Sequence, residues 1–155
     1  MPADLERHAL IENVDASIAE FNQDGRMGRE RATRRARRLT GLDWTYSALL
    51  IMEGMKDRPT IRMSQLAESV GTTPPTITKL VNDLEQKGLL VRTPDDQDGR
   101  ATIISLTPEG KQMAEAIGRA RLEALRQVLE DWSEDELRRF TALFERLRSD
   151  MRRLP

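Results

Sequence analysis

Apolar residues along this chain recur mostly at helical spacing, interrupted by one region of short strand-like runs. The organising stretch runs from Met63 to Gly110. Within it Ser64 to Val70 reads as an amphipathic helix of two turns, and Gly71 supplies the left-handed backbone that a tight helix stop needs. Thr73 is placed to cap a second helix. Its first turn accommodates Pro74 and Pro75, because the N–H groups they lack would have no helical partner there. Ile77, Leu80, Val81 and Leu84 form the buried side of that helix, leaving Thr76, Thr78, Lys79, Asn82 and Asp83 for solvent or a ligand. After Lys87-Gly88, the β-prone runs Leu89 to Thr93 and Ala101 to Leu106 flank a polar, turn-rich tip from Pro94 to Arg100, which predicts a β-hairpin.

The flanks are helical. Leu10, Val14, Ile18 and Phe21 mark a first amphipathic helix with an acidic outer face. Asp24-Gly25-Arg26-Met27-Gly28 interrupts the pattern, so a kink or break is expected before Arg29 to Leu39 resumes it with Ala32, Ala36 and Leu39 on one side. Asp43 is expected to cap a helix from Trp44 to about Met55. Downstream, Thr107 to about Asp131 reads as one long helix with Met113, Ile117, Ala120, Ala124, Leu125 and Val128 along a face. Ser133 and Glu136 form a capping box that starts the last helix. There Leu137, Phe140, Phe144, Leu147, Met151 and Leu154 step alternately by three and four, a coiled-coil seam that calls for another helix. The first and last helices both lie outside the central unit. Pairing with their copies across a two-fold axis is the simplest way to bury them, with packing inside one chain as the alternative.

A helix-turn-helix followed directly by a hairpin is a winged helix. Asp98-Gly99-Arg100-Ala101 with Leu106-Thr107-Pro108-Glu109-Gly110 matches the pattern D-x-R followed by L-T-x-x-G, and Leu80 to Leu89 matches the end of a recognition helix. In these motifs the chain resembles the MarR family of bacterial winged-helix transcription regulators, in register across helix, hairpin tip and following helix. It departs from the family at Gly99, where many members carry a first arginine, and at Pro74, often polar or basic in the family. The resemblance implies a mainly α fold with a small β-hairpin wing, organised as an N-terminal dimerisation region (1–40), a winged helix-turn-helix (41–110) and C-terminal dimerisation helices (111–155). It also implies a homodimeric repressor on pseudo-palindromic double-stranded DNA, released by a small organic anion. A winged-helix adaptor that binds protein rather than a DNA sequence is the alternative.

Composition narrows the choice of chemistry. Charged residues make up 33% and aromatic ones 4% of the 155 residues, a balance that suits a soluble helical protein better than an aromatic-lined substrate cleft. There is no cysteine and one histidine, His8, so a zinc site, a redox disulfide and a thiol nucleophile lack their usual ligands. No nucleophile–base pair is legible, and no cofactor, metal or enzymatic activity is expected. Gly25 to Gly28 lacks the lysine and preceding strand of a phosphate loop. Apolar runs are short, the longest like Ala48 to Met52, and Asp4 and Glu6 stand where a signal peptide would be basic, so a cytoplasmic protein without membrane contact is expected.

The net charge of −1 conceals a local asymmetry: residues 1 to 25 hold six acids against Arg7, and residues 26 to 38 hold seven arginines against Glu30. Arg31, Arg34, Arg35 and Arg38 fall on one stripe, readable as a solvated face, a flank for phosphates or an anion pocket. For DNA, the candidate contacts are Ser64, Thr72, Thr73, Pro75, Thr76, Thr78 and Lys79, with Asp98 and Arg100 on the wing. Hydroxyl and methyl groups of Thr76 and Thr78 suit base edges or phosphate, and Lys79 a guanine or a phosphate. The first two helical turns lack Arg, Asn and Gln, so specificity is expected to lean on groove shape and on the wing. Asp98 and Arg100 alternate onto one side, where the carboxylate can orient the guanidinium for a narrow minor groove. Taken without the resemblance they read as an exposed ion pair. The family's effector pocket borders the end of the first helix and the helix after it. In this chain that border carries Arg34, Arg35 and Arg38 beside Trp44 and Tyr46, pointing to a small aromatic or phenolic anion.

Overall fold

A computed structural model describes residues 2–95, 97–98 and 101–153. Gly99 and Arg100 of the wing motif and Leu154 of the seam lie outside the described residues. The chain forms two compact units, 1–120 and 121–155.

The first unit opens with α1, Pro2–Thr40, a single helix through the whole stretch in which a break was expected. Neither Gly25 nor Gly28 takes a positive φ. Glycine costs a helix only about 1 kcal/mol relative to alanine, and the Arg, Glu, Met and Ala neighbours on either side hold the conformation through it. The helix stops where the backbone turns left-handed, at Gly41 with φ 71°. Thr40 secures that stop, its hydroxyl donating to the Ala36 carbonyl at 2.8 Å and accepting from the Leu42 N–H at 3.1 Å and the Trp44 indole N–H at 2.9 Å.

The next helix, α2, is Tyr46–Lys56, and its cap is Thr45, whose hydroxyl accepts from the Ala48 N–H at 3.2 Å. Asp43 is therefore not the cap. It lies too far upstream to reach the first free N–H groups, and pairs instead with Arg37 at 3.2 Å. Trp44 precedes the helix and is buried. Beyond α2 the strand β1, Thr60–Arg62, leads into α3, Met63–Val70, and α4, Pro74–Gln86. Strands β2, Leu90–Pro94, and β3, Thr102–Leu106, form the hairpin. The hairpin is the larger part of a three-stranded antiparallel sheet in the order β1-β3-β2, with Ile61 and Arg92 both opposite Ile104. The strand β1 is not legible in the sequence, because three residues carry no alternation to detect.

One core joins these elements: Ile51, Met52 and Met55 of α2, Leu66 of α3, Ile77, Val81 and Leu84 of α4, and Ile104 of β3 are fully buried, with Ala36 of α1 beside them. Helix α5, Pro108–Val128, adds Ala114 and Ile117 to the same core. It starts at a junction built by Thr107. That hydroxyl donates to the Gly88 carbonyl at 2.7 Å and accepts from the Gly110 N–H at 2.9 Å. A Cβ at Gly110 would lie 2.0 Å from the Leu89 carbonyl oxygen, so only glycine lets α5 sit on the base of the wing.

In the second unit α6, Glu134–Met151, begins at the expected capping box, with the Ser133 hydroxyl accepting from the Glu136 N–H at 3.3 Å and the Glu136 carboxylate accepting from the Ser133 N–H at 2.8 Å. The Ser133 hydroxyl, donating to the Glu136 carboxylate at 2.6 Å, and then the Ser133 N–H hold the Glu136 carboxyl below its ordinary pKa. Trp132, Phe140 and Phe144 form a ladder, the first pair edge-on at 5.4 Å and the second stacked at 5.7 Å. Phe140, Phe144, Leu147 and Met151 are exposed on the single chain, as are Leu10, Val14, Ile18 and Phe21 of α1.

Candidate nucleic-acid interface

The turn between α3 and α4 is closed by Gly71 at φ 64°, whose N–H bonds the Glu68 carbonyl at 3.1 Å while the Thr72 N–H bonds that of Ala67 at 3.1 Å. This pairing satisfies the last carbonyls of α3 and turns the chain sharply into α4. Thr73 occupies the N-cap position with extended backbone, yet its hydroxyl faces the Thr76 hydroxyl at 3.0 Å rather than a helix N–H. Pro74 and Pro75 fill the first two positions of α4.

On the outer side of α4, Pro75, Thr76, Thr78, Lys79, Asn82 and Asp83 are exposed, while Ile77, Leu80, Val81 and Leu84 are buried. The Thr78 hydroxyl donates to the Pro74 carbonyl at 2.8 Å, which occupies its proton within the helix. Ser64, Thr72 and Thr78 meet Arg62 and Thr102 in one groove of about 620 Å³, between α3, the start of α4 and the tip-side end of β3. Three of the expected contact residues thus share a concave surface, and Thr76 and Lys79 lie on the same helix beyond it.

The wing is pinned where β2 enters the tip. Asp95 accepts from the Gln97 N–H at 2.9 Å and from Arg62 of β1 at 2.6 Å, and only 10% of its side chain is exposed. The Gln97 N–H first, and then the Arg62 guanidinium, hold the carboxyl below its usual pKa. The Ala101 N–H bonds the Asp98 carbonyl at 2.8 Å, closing the described part of the tip. The pairing of Asp98 with Arg100 involves a residue outside the described set.

Arg92, like Arg62, was not among the candidates the sequence offered. Arg92 of β2 donates from Nη2 to the Thr78 carbonyl at 3.4 Å and to the Asn82 side-chain oxygen, and its Nε lies 3.6 Å from the Glu85 carboxylate. Arg62, Asp95 and Arg92 hold the reading elements together. The available signal was strand alternation, which puts Arg92 on the same face as buried Leu90, turned toward α4.

At the other candidate site, Trp44 is 8% exposed and Tyr46 38% exposed, while Arg34, Arg35 and Arg38 are all exposed. The cations lying over these rings are different ones: Arg29 stands 6.0 Å from the Tyr46 ring, and the Lys87 ammonium 5.7 Å from that of Trp44. Lys87 also donates to the Asp43 carbonyl at 2.8 Å, at the rim of a cleft of about 250 Å³ that includes Trp44, Ala48, Leu80 and Leu84.

A two-helix reader with an exposed polar recognition helix, a wing at its side and a shared groove between them defines a winged helix-turn-helix regulator of transcription. The profile of the MarR family matches residues 44–102. The chain is 33% identical to the HTH-type transcriptional regulator YxaD of Bacillus subtilis over 101 residues, covering 65% of this chain and 71% of that protein. It is 29% identical to the HTH-type transcriptional repressor MdtR of the same organism, over 60% of each chain. Among solved structures, the transcriptional regulator BldR from Sulfolobus solfataricus superposes with a TM-score of 0.71 at 25% identity, covering 91% of this chain and 98% of that one. The protein belongs to the MarR family, and its relatives are regulators of transcription rather than enzymes. Among the described residues no helix is long and apolar enough to cross a membrane.

Proposed function

We propose that the protein is a homodimeric repressor that reads a pseudo-palindromic operator through α4 and the wing, and that a small aromatic or phenolic anion releases it. The observation that carries the DNA arm is the groove shared by Ser64, Thr72 and Thr78, with exposed Thr76 and Lys79 continuing from it along α4. Thr73, Pro75, Asp98 and Arg100 complete the contact set, Arg100 entering the minor groove. Residues 41–110 read DNA, and residues 1–40 and 111–155 bring two copies together through the exposed stripe of Leu10, Val14, Ile18 and Phe21 and the seam of Phe140, Phe144, Leu147 and Met151. Repression is the activity named for the relative MdtR. For the effector, half-exposed Tyr46 with Arg29 over its ring supports an aromatic anion beside Arg34, Arg35, Arg38 and Trp44.

Selecting duplexes from a random pool and measuring affinity against salt tests the DNA arm. Arg100→Ala is expected to weaken the selected operator by about 1–3 kcal/mol, and Lys79→Ala to weaken it while lowering the salt slope by about one. A protein that enriches no sequence and binds no duplex at low salt is instead the adaptor. Titrating the complex with aromatic acids, in wild type and in an Arg34→Ala, Arg38→Ala variant, tests release: identical responses remove these arginines from the pocket.

A further inference from the structure

The guanidinium of Arg92 bridges three groups spaced along the recognition helix. Its three partners, the Thr78 carbonyl, the Asn82 amide oxygen and the Glu85 carboxylate, are four and three residues apart along α4. They cover two turns, about 10 Å of helix. The side chain is 29% exposed, and its Nε is buried with no hydrogen-bond partner, the Glu85 carboxylate at 3.6 Å being its compensating charge. An arginine held in this way is committed to α4 and does not reach outward. It also engages the acceptor of Asn82, the amide that would otherwise suit an adenine edge from this helix. Where β2 enters the tip, the Arg62–Asp95 pair ties the hairpin to β1, so the wing is fastened both to the recognition helix and to the strand that precedes α3.

We propose that Arg92 is a positioning residue for DNA recognition: it sets the distance and angle between α4 and the wing, and through them discriminates operator from other DNA. The proposal rests on the DNA-binding reading above. Phosphate contacts give affinity for any duplex, whereas base and shape readout requires helix and wing to fit their grooves together. With only Thr76, Thr78 and Lys79 as readers on the first turns of α4, discrimination depends on that fit being set before binding. A wing released from α4 keeps its cations, so it still binds DNA but loses the registration.

The test is affinity of the full-length protein for the selected operator and for an unrelated duplex at matched salt. Arg92→Met keeps the stem and removes the clasp. It is expected to weaken the operator by roughly tenfold or more and the unrelated duplex by less than about threefold, with an unchanged salt slope. Arg92→Lys, which keeps the charge without the fork, is expected to behave as Arg92→Met does. The Asn82→Ala, Glu85→Ala variant removes the acceptors from the helix side. It is expected to show the same selective loss, and adding Arg92→Met to it to cost little more. Equal losses on both duplexes with a salt slope lower by about one would make Arg92 a phosphate contact and overturn the proposal. Losses that follow the unfolded fraction in thermal melts, or full additivity in the combined variant, overturn it as well. A wild type that binds neither duplex fails the DNA-binding reading itself, a separate outcome.

Discussion

Single residues in this chain act mainly by what they let neighbouring segments do. Gly110 is held by the oxygen of Leu89, which a Cβ would approach to 2.0 Å, and that obstacle is backbone rather than a flexible side chain. Gly110→Ala is therefore expected to destabilise the protein by about 1–3 kcal/mol in urea unfolding, and an unchanged midpoint would contradict the packing of α5 on the wing base. Asp95 acts by charge. Its carboxyl titrates below the ordinary value of 3.8, so its contribution is complete above that value and is lost as pH falls through the lower folded-state pKa. The stability gap between wild type and Asp95→Asn is expected to hold constant down to about pH 5 and to close as the solution is acidified toward about pH 2. A gap that widens on acidification would place the stabilisation elsewhere.

At the scale of elements, α1 and α6 present the same situation: continuous helices whose apolar stripes stay exposed on one chain. The continuity of α1 through Gly28 is a cost carried by its neighbours, since a Cβ there would meet nothing within 4 Å. Gly28→Ala is expected to raise stability by about 0.4–1 kcal/mol, read from the thermal midpoint of a well-folded sample. A fall in stability together with weakened self-association would mean that a second helix approaches α1 closely at this glycine. The wing differs from both helices because its parts come from distant segments. Its third strand, β1, exists only because β3 offers an edge, pairing Thr60 with Ser105 and Arg62 with Ile103.

For the whole molecule, the governing question is what covers the exposed apolar residues of the two units. In the homodimer proposed above, a second copy is what would cover these stripes, and two recognition helices would then stand about one helical turn of DNA apart. Cutting the chain before Ser133 removes the α6 seam, and is expected to leave a monomer or an insoluble product by light scattering, with operator affinity falling in parallel. A soluble dimer of unchanged association after the cut would exclude α6 from the interface.

Helix against strand was already decided by local period. The spacing of Ile77, Leu80, Val81 and Leu84, the glycine stop at Gly71 and the capping box at Ser133 are short-range facts, and short-range backbone energetics determine them. So too with the wing: Leu106-Thr107-Pro108-Glu109-Gly110 was recognisable as a pattern, although why it needs its threonine and glycine is visible only where Thr107 bridges Gly88 to Gly110. Tertiary structure alone decided the rest. It chose Thr45 over Asp43 as the cap, because the course of the backbone after Gly41 determines which side chain reaches the Ala48 N–H. It also paired Arg62 with Asp95 and laid Arg92 across α4. A long charged side chain can satisfy itself with many partners, and which one it meets depends on segments brought together by the core rather than on its neighbours in sequence.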